Sequence, residues 1–252
     1  MLQRYFIPIC YNGLRYCGWQ IQPNGTSVQG VLTHCIGLLL GQPTAITGAG
    51  RTDAGVHALR TYAHFDVPQP LASPDAFAAR LNRFLPSDIA VGCPIAVPPN
   101  AHARFDATAR RYEYRITTVK NPFAEGRAWY VHYALNVAAM NAAAHILFDY
   151  TDFTSFSKLH TDAKTNDCII YKAEWTQQNA ELIFTIEANR FLRNMVRAIV
   201  GTMIDVGKGT CTADDVRSII KACNRCAAGQ SVPPYGLYLK DVRYPYIHPE
   251  PL

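Results

Sequence analysis

The stretch GAGRTDAGVHA at residues 48–58 combines three glycines with the ionisable side chains of Arg51, Asp53 and His57. It follows the apolar, β-branched run PTAIT, which is typical of a short strand. Three structures are compatible with a stretch of this composition. They are a phosphate-binding glycine loop, a tight turn between strands, and a loop that presents one carboxylate for chemistry.

The spacing within this stretch argues against phosphate binding. A Walker loop continues after its last glycine with lysine and then serine or threonine, whereas Val56 and His57 occupy those positions. A dinucleotide-binding loop requires glycine at the sixth position of G-x-G-x-x-G. Counted from Gly48 that position is Asp53, whose carboxylate would repel a pyrophosphate. A tight turn explains the glycines but not the Arg-Thr-Asp run between them, so we expect a loop that presents Asp53.

The first half of the chain shows the hydrophobic periods of strands alternating with helices. It predicts strands at residues 4–13, 43–48 and 60–67 and helices at residues 26–42 and 73–85. Thr26 or Ser27 can cap the first helix, and Ser73 followed by Pro74 begins the second. Residues 91–107 contain three prolines and are predicted to form an irregular connector.

The second half repeats this alternation. It predicts strands at residues 110–119, 168–177, 181–189 and 236–244 and helices at residues 136–150, 190–209 and 212–224. Strands and helices alternate in each half without the glycine motifs of long βαβ units. We therefore predict an α+β protein of two similar α/β halves, residues 1–107 and 108–252.

The composition is that of a folded globular protein, since 49% of the residues are hydrophobic and 17% are charged. The N-terminal segment lacks the apolar run of a signal peptide, and the most apolar helical segment, VLTHCIGLLLG, is too short to cross a membrane. We therefore expect a cytoplasmic protein without a membrane partner. The net charge is +5 and arginine supplies 17 of the 24 basic residues, which favours an anionic partner such as nucleic acid.

The eight cysteines are scattered, mostly in apolar segments, which is typical of reduced, buried thiols rather than a disulfide framework. Cys223 and Cys226 form one C-x-x-C pair, which could contribute two ligands to a zinc ion. A structural zinc site requires four ligands, and no second pair stands nearby at the required spacing. We therefore expect no bound metal.

Six segments of the chain resemble the tRNA pseudouridine synthase A family. GAGRTDAGVHA is similar to the family's signature. The five other segments also resemble motifs of the family, and all six stand along the chain in the family's order: YNGLRYCGWQIQ before the signature, and HARFDATARRYEYRI, DFTSFSK, NRFLRNMVRAIVGT and PPYGLYL after it. Together they extend from residue 11 to residue 239, nearly the whole chain. The resemblance implies the pseudouridine synthase fold, in which two α/β halves with antiparallel sheets flank an active-site cleft.

The resemblance also implies an isomerase that converts uridine to pseudouridine in the anticodon stem-loop of tRNA, at positions 38, 39 and 40. It implies a homodimer in which one tRNA spans both subunits. The reaction detaches the base from the ribose, rotates it and joins C5 to the same carbon, so nothing is oxidised and no cofactor is required. A catalytically silent RNA-binding protein of the same fold is the alternative hypothesis, which the presence of Asp53 and Arg197 disfavours.

By resemblance, Asp53 is the catalytic nucleophile, and attack on the ribose, addition to the base and removal of a ribose proton are all open to it. A buried aspartate needs a nearby cation to stay ionised. Arg51 and Arg197 are the two candidates, and the resemblance assigns the ion pair to Arg197. Arg190, Arg193 and Arg197 are spaced to share one helix face.

The resemblance places Tyr112 against the target base, where its ring can stack and its hydroxyl can relay a proton at C5. From pattern alone, Tyr112 is equally well explained as a core strand residue, and Tyr114 lies on the same face of that strand; the resemblance favours Tyr112 as the site residue. Leu237 matches an apolar residue that packs against the flipped base in related enzymes, and His57 is expected to have a supporting role.

RNA contacts are expected from a set of mostly basic residues: Arg15, Trp19, Arg51, Arg60, Arg104, Arg111 and Lys158. A uridine in a stem must leave the base stack to be reached, so a basic groove with an intruding side chain is expected. The chain departs from the family's pattern at Asn12, Leu14 and Cys168. The first two affect a turn, and Cys168 replaces an arginine that would contact RNA or a second subunit.

Overall fold

The computed structural model describes residues 2–158 and 165–247. The chain divides into two compact units, one formed by Met1–Thr108 with Tyr238–Leu252 and the other by Ala109–Leu237. The sequence prediction grouped the last strand with the second half. The structure groups it with the first unit, because this strand pairs with a strand of that unit. No helix in residues 2–158 or 165–247 is long and apolar enough to span a bilayer.

Ten strands and five α-helices form within the described ranges. The strands are β1 (Gln3–Tyr11), β2 (Thr47–Gly48), β3 (His57–Val67), β4 (Ile89–Val91), β5 (Ile95–Val97), β6 (Ala109–Thr117), β7 (Trp129–Tyr130), β8 (Ile170–Gln178), β9 (Glu181–Ala188) and β10 (Leu237–Arg243). The helices are α1 (Val28–Leu40), α2 (Pro74–Phe84), α3 (Val137–Ile146), α4 (Met195–Gly207) and α5 (Ala213–Lys221). Each predicted strand and helix has a counterpart, whereas β4, β5 and β7 were not predicted.

In the first unit, β3 is the central strand of a mainly antiparallel sheet. β1 pairs with it from Gln3 opposite Val67 onward, and β4 and β5 pair with β1. β2 pairs antiparallel with β3, and β10 pairs with it in parallel through Tyr238 opposite His57. Because β2 and β3 are hydrogen-bonded to each other, the glycine-rich stretch that joins them is held at both ends.

Local sequence signals explain the elements of the first unit. Five consecutive residues of β1, Tyr5–Ile9, are buried, as in a strand that is covered on both faces. Ser27 and Ser73 cap α1 and α2, since their hydroxyls accept hydrogen bonds from Gly30 N and Ala76 N. The predicted start of each helix is confirmed.

In the second unit, β6, β9 and β8 form an antiparallel sheet in that spatial order, and β7 pairs with β6 in parallel. α3 packs against α4 and α5. α4 is almost wholly apolar, and Arg197 and Asp205 are its two residues that are not buried. The predicted Thr212 cap of α5 is confirmed, and Asp215 completes a capping box with it.

Two details of the prediction were wrong. The helix predicted at residues 190–209 begins at Met195, because Asn194 has a φ of 67°, in the left-handed region that does not continue an α-helix. Arg190 and Arg193 therefore precede α4 and do not share a helix face with Arg197. The predicted irregular connector contains β5, whose partner β1 is remote in sequence.

Candidate active site

Asp53 lies in the loop that joins β2 to β3, which we call the Asp53 loop (residues 49–56). Backbone hydrogen bonds hold it: Ala49 N donates to Tyr62 O at 2.8 Å, and Val56 N donates to Asp53 O at 3.2 Å. Asp53 is partly buried, whereas Arg51 is exposed. The loop therefore presents a carboxylate that is both ordered and accessible.

The chain immediately after β1 packs against the Asp53 loop. Trp19 N donates to Thr52 O at 3.3 Å, and the Tyr11 hydroxyl lies 2.9 Å from Thr52 Oγ1. The residue that precedes the aspartate is thus held through both its backbone and its side chain. Tyr11 was not identified from the sequence as a site residue, although it opens the YNGLRYCGWQIQ segment.

Glycine is required where these two stretches of backbone meet. At Gly18 φ is +102°, and a Cβ atom would lie 2.3 Å from Thr52 O. At Gly48 a Cβ atom would lie 2.4 Å from the Trp19 ring. Trp19 is only 4% exposed, so its ring packs beneath the loop instead of at the surface, where an RNA contact was predicted. These two glycines therefore serve close packing around the loop.

His57 follows the Asp53 loop and supports it. Its side chain is buried, and its Nδ1 accepts a hydrogen bond from Gly13 N at 3.1 Å. The imidazole also stacks on the Tyr238 ring, with 4.6 Å between the ring centroids. Because Nδ1 is an acceptor, the neutral ring carries its proton on Nε2. His57 is therefore packed into the first unit by its hydrogen bond to Gly13 and by its contact with the Tyr238 ring.

Arg197 lies in the first turn of α4 and is bonded to the chain that precedes β10. Its Nε donates to Val232 O at 2.7 Å, and Val232 N donates to Arg197 O at 3.3 Å. Because the guanidinium group is planar, the Nε bond restricts the orientation of the whole group. Arg197 is partly buried and its helical neighbours are buried.

Several side chains hold the Ser231 segment (residues 228–233), which carries this carbonyl. Ser231 Oγ accepts hydrogen bonds from Asn194 Nδ2 at 2.6 Å and from Arg225 Nη2 at 2.9 Å. Gly229 N donates to Thr202 Oγ1 at 2.9 Å. The partner of Arg197 is therefore positioned by residues that lie before α4, within it and after α5. Ser231 and Asn194 were not identified from the sequence.

β6 carries the two tyrosines between which the pattern could not choose. Tyr112 is partly buried, and its ring makes an edge contact with Phe191 at 5.1 Å between centroids. Tyr114 is fully buried and its hydroxyl donates to Pro233 O at 2.9 Å, and burial raises its pKa. Tyr114 is a core residue, and Tyr112 is the more accessible of the two. Leu237, which begins β10, is buried.

The residues predicted to contact RNA differ in their surroundings. Arg15 is paired with Asp88 and Arg111 with Glu187, each at 2.6 Å. An arginine that already has a carboxylate partner offers less charge to a phosphate. Of the remaining basic residues predicted to contact RNA, Arg51, Arg104 and Lys158 are exposed. Arg60 is partly buried.

The cysteines are free thiols, but only Cys35 and Cys168 are buried. Burial raises the pKa of both, that of Cys168 to about 11. The prediction of mostly buried thiols was wrong, since Cys223 and Cys226 are among the exposed residues. Within the ranges that the structure describes, no group of three or more His, Cys, Asp or Glu side chains could hold a metal ion.

The described residues thus form a mixed α/β fold with mainly antiparallel pairing, in which glycines frame the loop that carries Asp53. The model of the tRNA pseudouridine synthase family matches residues 9–106 and 143–245. The chain therefore belongs to this family, whose members are isomerases, and the resemblance inferred from the six segments is confirmed. Both matched ranges carry predicted site residues, whereas Arg111 and Tyr112 lie between them.

Individual relatives agree with the family match. The chain is 54% identical to the tRNA pseudouridine synthase A of Parabacteroides distasonis and 55% identical to that of Bacteroides fragilis, in each case over 97% of both chains. It is 41% identical to the tRNA pseudouridine synthase A of Geobacter sp. (strain M21), over 93% of this chain and 96% of the relative.

Proposed function

We propose that this protein converts uridine to pseudouridine in the anticodon stem-loop of tRNA, at positions 38, 39 and 40. The observation that carries the proposal is the Asp53 loop, which presents a partly buried carboxylate in a chain that matches the tRNA pseudouridine synthase family over most of its length. The relatives named tRNA pseudouridine synthase A support tRNA as the substrate.

The reaction rearranges one nucleoside without oxidation. The bond between N1 of uracil and C1′ of the ribose breaks, the base rotates, and C5 bonds to C1′. N1 gains a proton and C5 loses one, so atoms and electrons balance. We assign the role of nucleophile to Asp53, because an ionised carboxylate can form and release a covalent bond during such a step. Attack on the ribose, addition to the base and abstraction of a ribose proton are the three forms to be distinguished.

Arg197 and Tyr112 are proposed to act on the same uridine as Asp53. A guanidinium group beside the aspartate would favour its ionised form. The hydrogen bond to Val232 O supports this role, since it orients the guanidinium group. The Tyr112 ring would stack on the base and its hydroxyl would take part in proton transfer at C5, while Leu237 would pack against the base.

The contacts to the rest of the tRNA are proposed to come mainly from exposed cations. Arg51, Arg104 and Lys158 are exposed, and each phosphate contact adds salt-dependent affinity. Arg15, Arg60 and Arg111 are weaker candidates, because they are paired or partly buried. A tRNA substrate also leads us to place the protein in the cytoplasm.

We further propose a homodimer in which one tRNA spans both subunits. Sedimentation equilibrium should give twice the 28.0 kDa of the chain. A mass of 28.0 kDa at micromolar concentration would contradict the dimer without affecting the proposed reaction.

Tritium release tests the reaction and the aspartate together. Replacement of hydrogen at C5 releases tritium from tRNA that is labelled there in uridine. The protein should release it, and Asp53→Asn should reduce the rate at least about a thousandfold, which corresponds to about 4 kcal/mol of barrier. Asp75→Asn, at an exposed position in the first turn of α2, is the matched control and should keep the rate within about twofold.

The outcomes separate the hypotheses. Release that persists in Asp53→Asn would contradict the assignment of Asp53. Binding of tRNA without any release by the natural protein would instead support the catalytically silent RNA-binding protein of the same fold.

A further inference from the structure

The turn at residues 101–106, which we call the Phe105 turn, is held by side chains from distant parts of the first unit. Arg4 Nη1 donates to Ala101 O at 2.8 Å, and Tyr244 OH donates to Ala103 O at 2.5 Å. Ala103 N donates to Nδ1 of His64, a buried residue of β3, at 3.1 Å. Backbone groups of this turn are therefore bonded to β1, β3 and the chain after β10.

Hydrogen bonds within the turn add to this support. His102 N donates to Asp106 Oδ2 at 2.8 Å, and the same oxygen accepts a bond from Tyr246 OH at 2.7 Å. Arg104 N donates to His102 Nδ1 at 3.1 Å. With Tyr246 counted, four bonds from outside residues 101–106 and the bonds within the turn order a short segment that has no regular secondary structure.

This ordered turn ends in an aromatic side chain that faces solvent. Phe105 is 74% exposed, and its ring lies 4.3 Å from the His102 ring, centroid to centroid. The guanidinium carbon of Arg104 lies 5.6 Å from the centroid of the Phe105 ring. A single exposed apolar ring is common on protein surfaces, but here an ordered turn presents the ring beside a histidine ring and a guanidinium group, a combination that suits a binding contact.

The exposed side chains of the Phe105 turn, Phe105 and Arg104, suit the binding of a nucleobase. Unpaired bases in RNA stack on aromatic rings and on arginine, while arginine also binds phosphate. We propose that Phe105 is a base-stacking residue for tRNA and that Arg104 contacts the adjoining phosphate. The inference rests on the proposed function, because it takes tRNA as the ligand, and it adds a contact that the basic residues do not provide.

The register of β3 places this contact away from the reacting uridine. β3 begins at His57, directly after the Asp53 loop, and reaches the Phe105 turn at His64. Seven residues of strand span roughly 23 Å, at about 3.3 Å per residue. We therefore expect Phe105 to contact a different nucleotide from the uridine on which Asp53 acts, and its removal to affect tRNA binding more than the chemical step.

The test compares tRNA affinity among variants of the full-length protein, with a tRNA transcript that carries uridine at position 39 as the probe. Phe105→Ala should raise the Kd about tenfold, as expected for loss of one stacked base. Phe105→Trp, which keeps a stacking face, should bind within about threefold of the natural protein. Phe123→Ala is the matched control. Phe123 is 87% exposed, but within the described residues its ring contacts neither a guanidinium group nor a histidine ring.

The salt dependence of the Kd for tRNA distinguishes the role of Phe105 from that of Arg104. Phe105→Ala should leave the slope of log Kd against log salt concentration unchanged, because stacking releases no counterions. Arg104→Ala should reduce the magnitude of that slope by about one. The loss caused by Phe105→Ala should appear as a larger change in KM than in kcat for tritium release.

Two results would overturn the proposal. One is an unchanged Kd for Phe105→Ala, and the other is a loss of affinity that is fully explained by dissociation of a dimer in sedimentation velocity, which would make the Phe105 turn a protein contact. Neither result bears on the reaction itself, which is tested by tritium release from the natural protein.

Discussion

The Asp53 loop and the Ser231 segment hold their charged residues by different means. The loop is held largely by its own backbone, through Ala49 N and the Trp19 N bond to Thr52 O, and by glycines that allow close approach. The Ser231 segment is held mainly by side chains, with Ser231 Oγ at the centre. A residue that is held by closely packed backbone has glycines near it in the sequence, so its position can be recognised there. A residue that is held by side chains from distant segments has no such local pattern.

The largest expected effect follows from the backbone contact at Gly18. Gly18→Ala should lower the free energy of unfolding by about 3 kcal/mol, because its Cβ would lie 2.3 Å from Thr52 O and φ is +102°. A shift of the loop by about 1 Å should also slow tritium release about a hundredfold. Denaturant titration and single-turnover tritium release measure the two effects.

Gly50→Ala is the control for stability, since beyond its chain neighbours no atom of residues 2–158 or 165–247 lies within 4 Å of a Cβ at that position. It should change the free energy of unfolding by no more than about 0.5 kcal/mol. If Gly18→Ala were as stable as the natural protein, the backbone account of the loop would be wrong.

The second largest expected effect is a loss of stability in acid, which should be greater in the first unit than in the second. Burial, followed by the charge of Arg4, lowers the pKa of His64 to about 4, so the neutral ring is favoured in the folded protein. The unfolded chain binds this proton near pH 6.5, so the stabilisation is complete above that pH and is lost as the pH falls toward 4. The loss should reach about 2–3 kcal/mol.

Native-state hydrogen exchange can locate this loss. Opening free energies of β1 and β3 should fall between pH 7 and pH 4 more than those of β8 and β9, since His64 belongs to the first unit. In His64→Asn, which lacks the titrating ring, this difference should be absent. An equal fall in both units would show that His64 is not its source.

The third effect tests the side-chain network around Arg197. Ser231→Ala removes the acceptor of two N–H donors and should cost about 2 kcal/mol of stability. Because Arg197 would be less well oriented, kcat should fall about tenfold with little change in KM. Ser231→Thr keeps the hydroxyl and should restore most of the rate.

Ser218→Ala provides a matched control, because Ser218 is exposed and, within the part of the chain that the structure describes, its hydroxyl donates to Asp214 O of its own helix and to no other group. A fall in kcat as large for Ser218→Ala as for Ser231→Ala would argue against a positioning role for Ser231.

The smallest effect belongs to the hydroxyl of Tyr114. Tyr114→Phe removes its bond to Pro233 O and should cost about 1 kcal/mol. The loss of activity should be smaller than that of Ser231→Ala, because Pro233 is next to the residue that binds Arg197 and does not bind it directly. Thermal denaturation and kcat measure both, and a larger loss than in Ser231→Ala would move the centre of the network from Ser231 to Tyr114.

Elements with local signals were predictable. The Ser73 and Thr212 caps lie within a few residues of the helices that they begin. The start of α4 was not predictable, because the apolar period continues on both sides of Asn194 and only the left-handed φ of this residue prevents the helix from beginning earlier. The parallel pairing of β10 with β3 joins residues that lie far apart in the chain, and no periodicity encodes such a pair.

Six motifs in the amino-acid sequence were enough to recognise the family, and their resemblance singled out Asp53 as the proposed catalytic carboxylate, because each motif is a short local pattern of residue types. The tertiary structure was needed to show that Tyr114 is buried whereas Tyr112 is only partly buried, and that the Trp19 ring packs beneath the loop. It also tied Arg197 to a carbonyl 35 residues away. Burial and hydrogen-bond partners depend on which distant residues meet when the chain packs, and one segment of sequence does not contain that information.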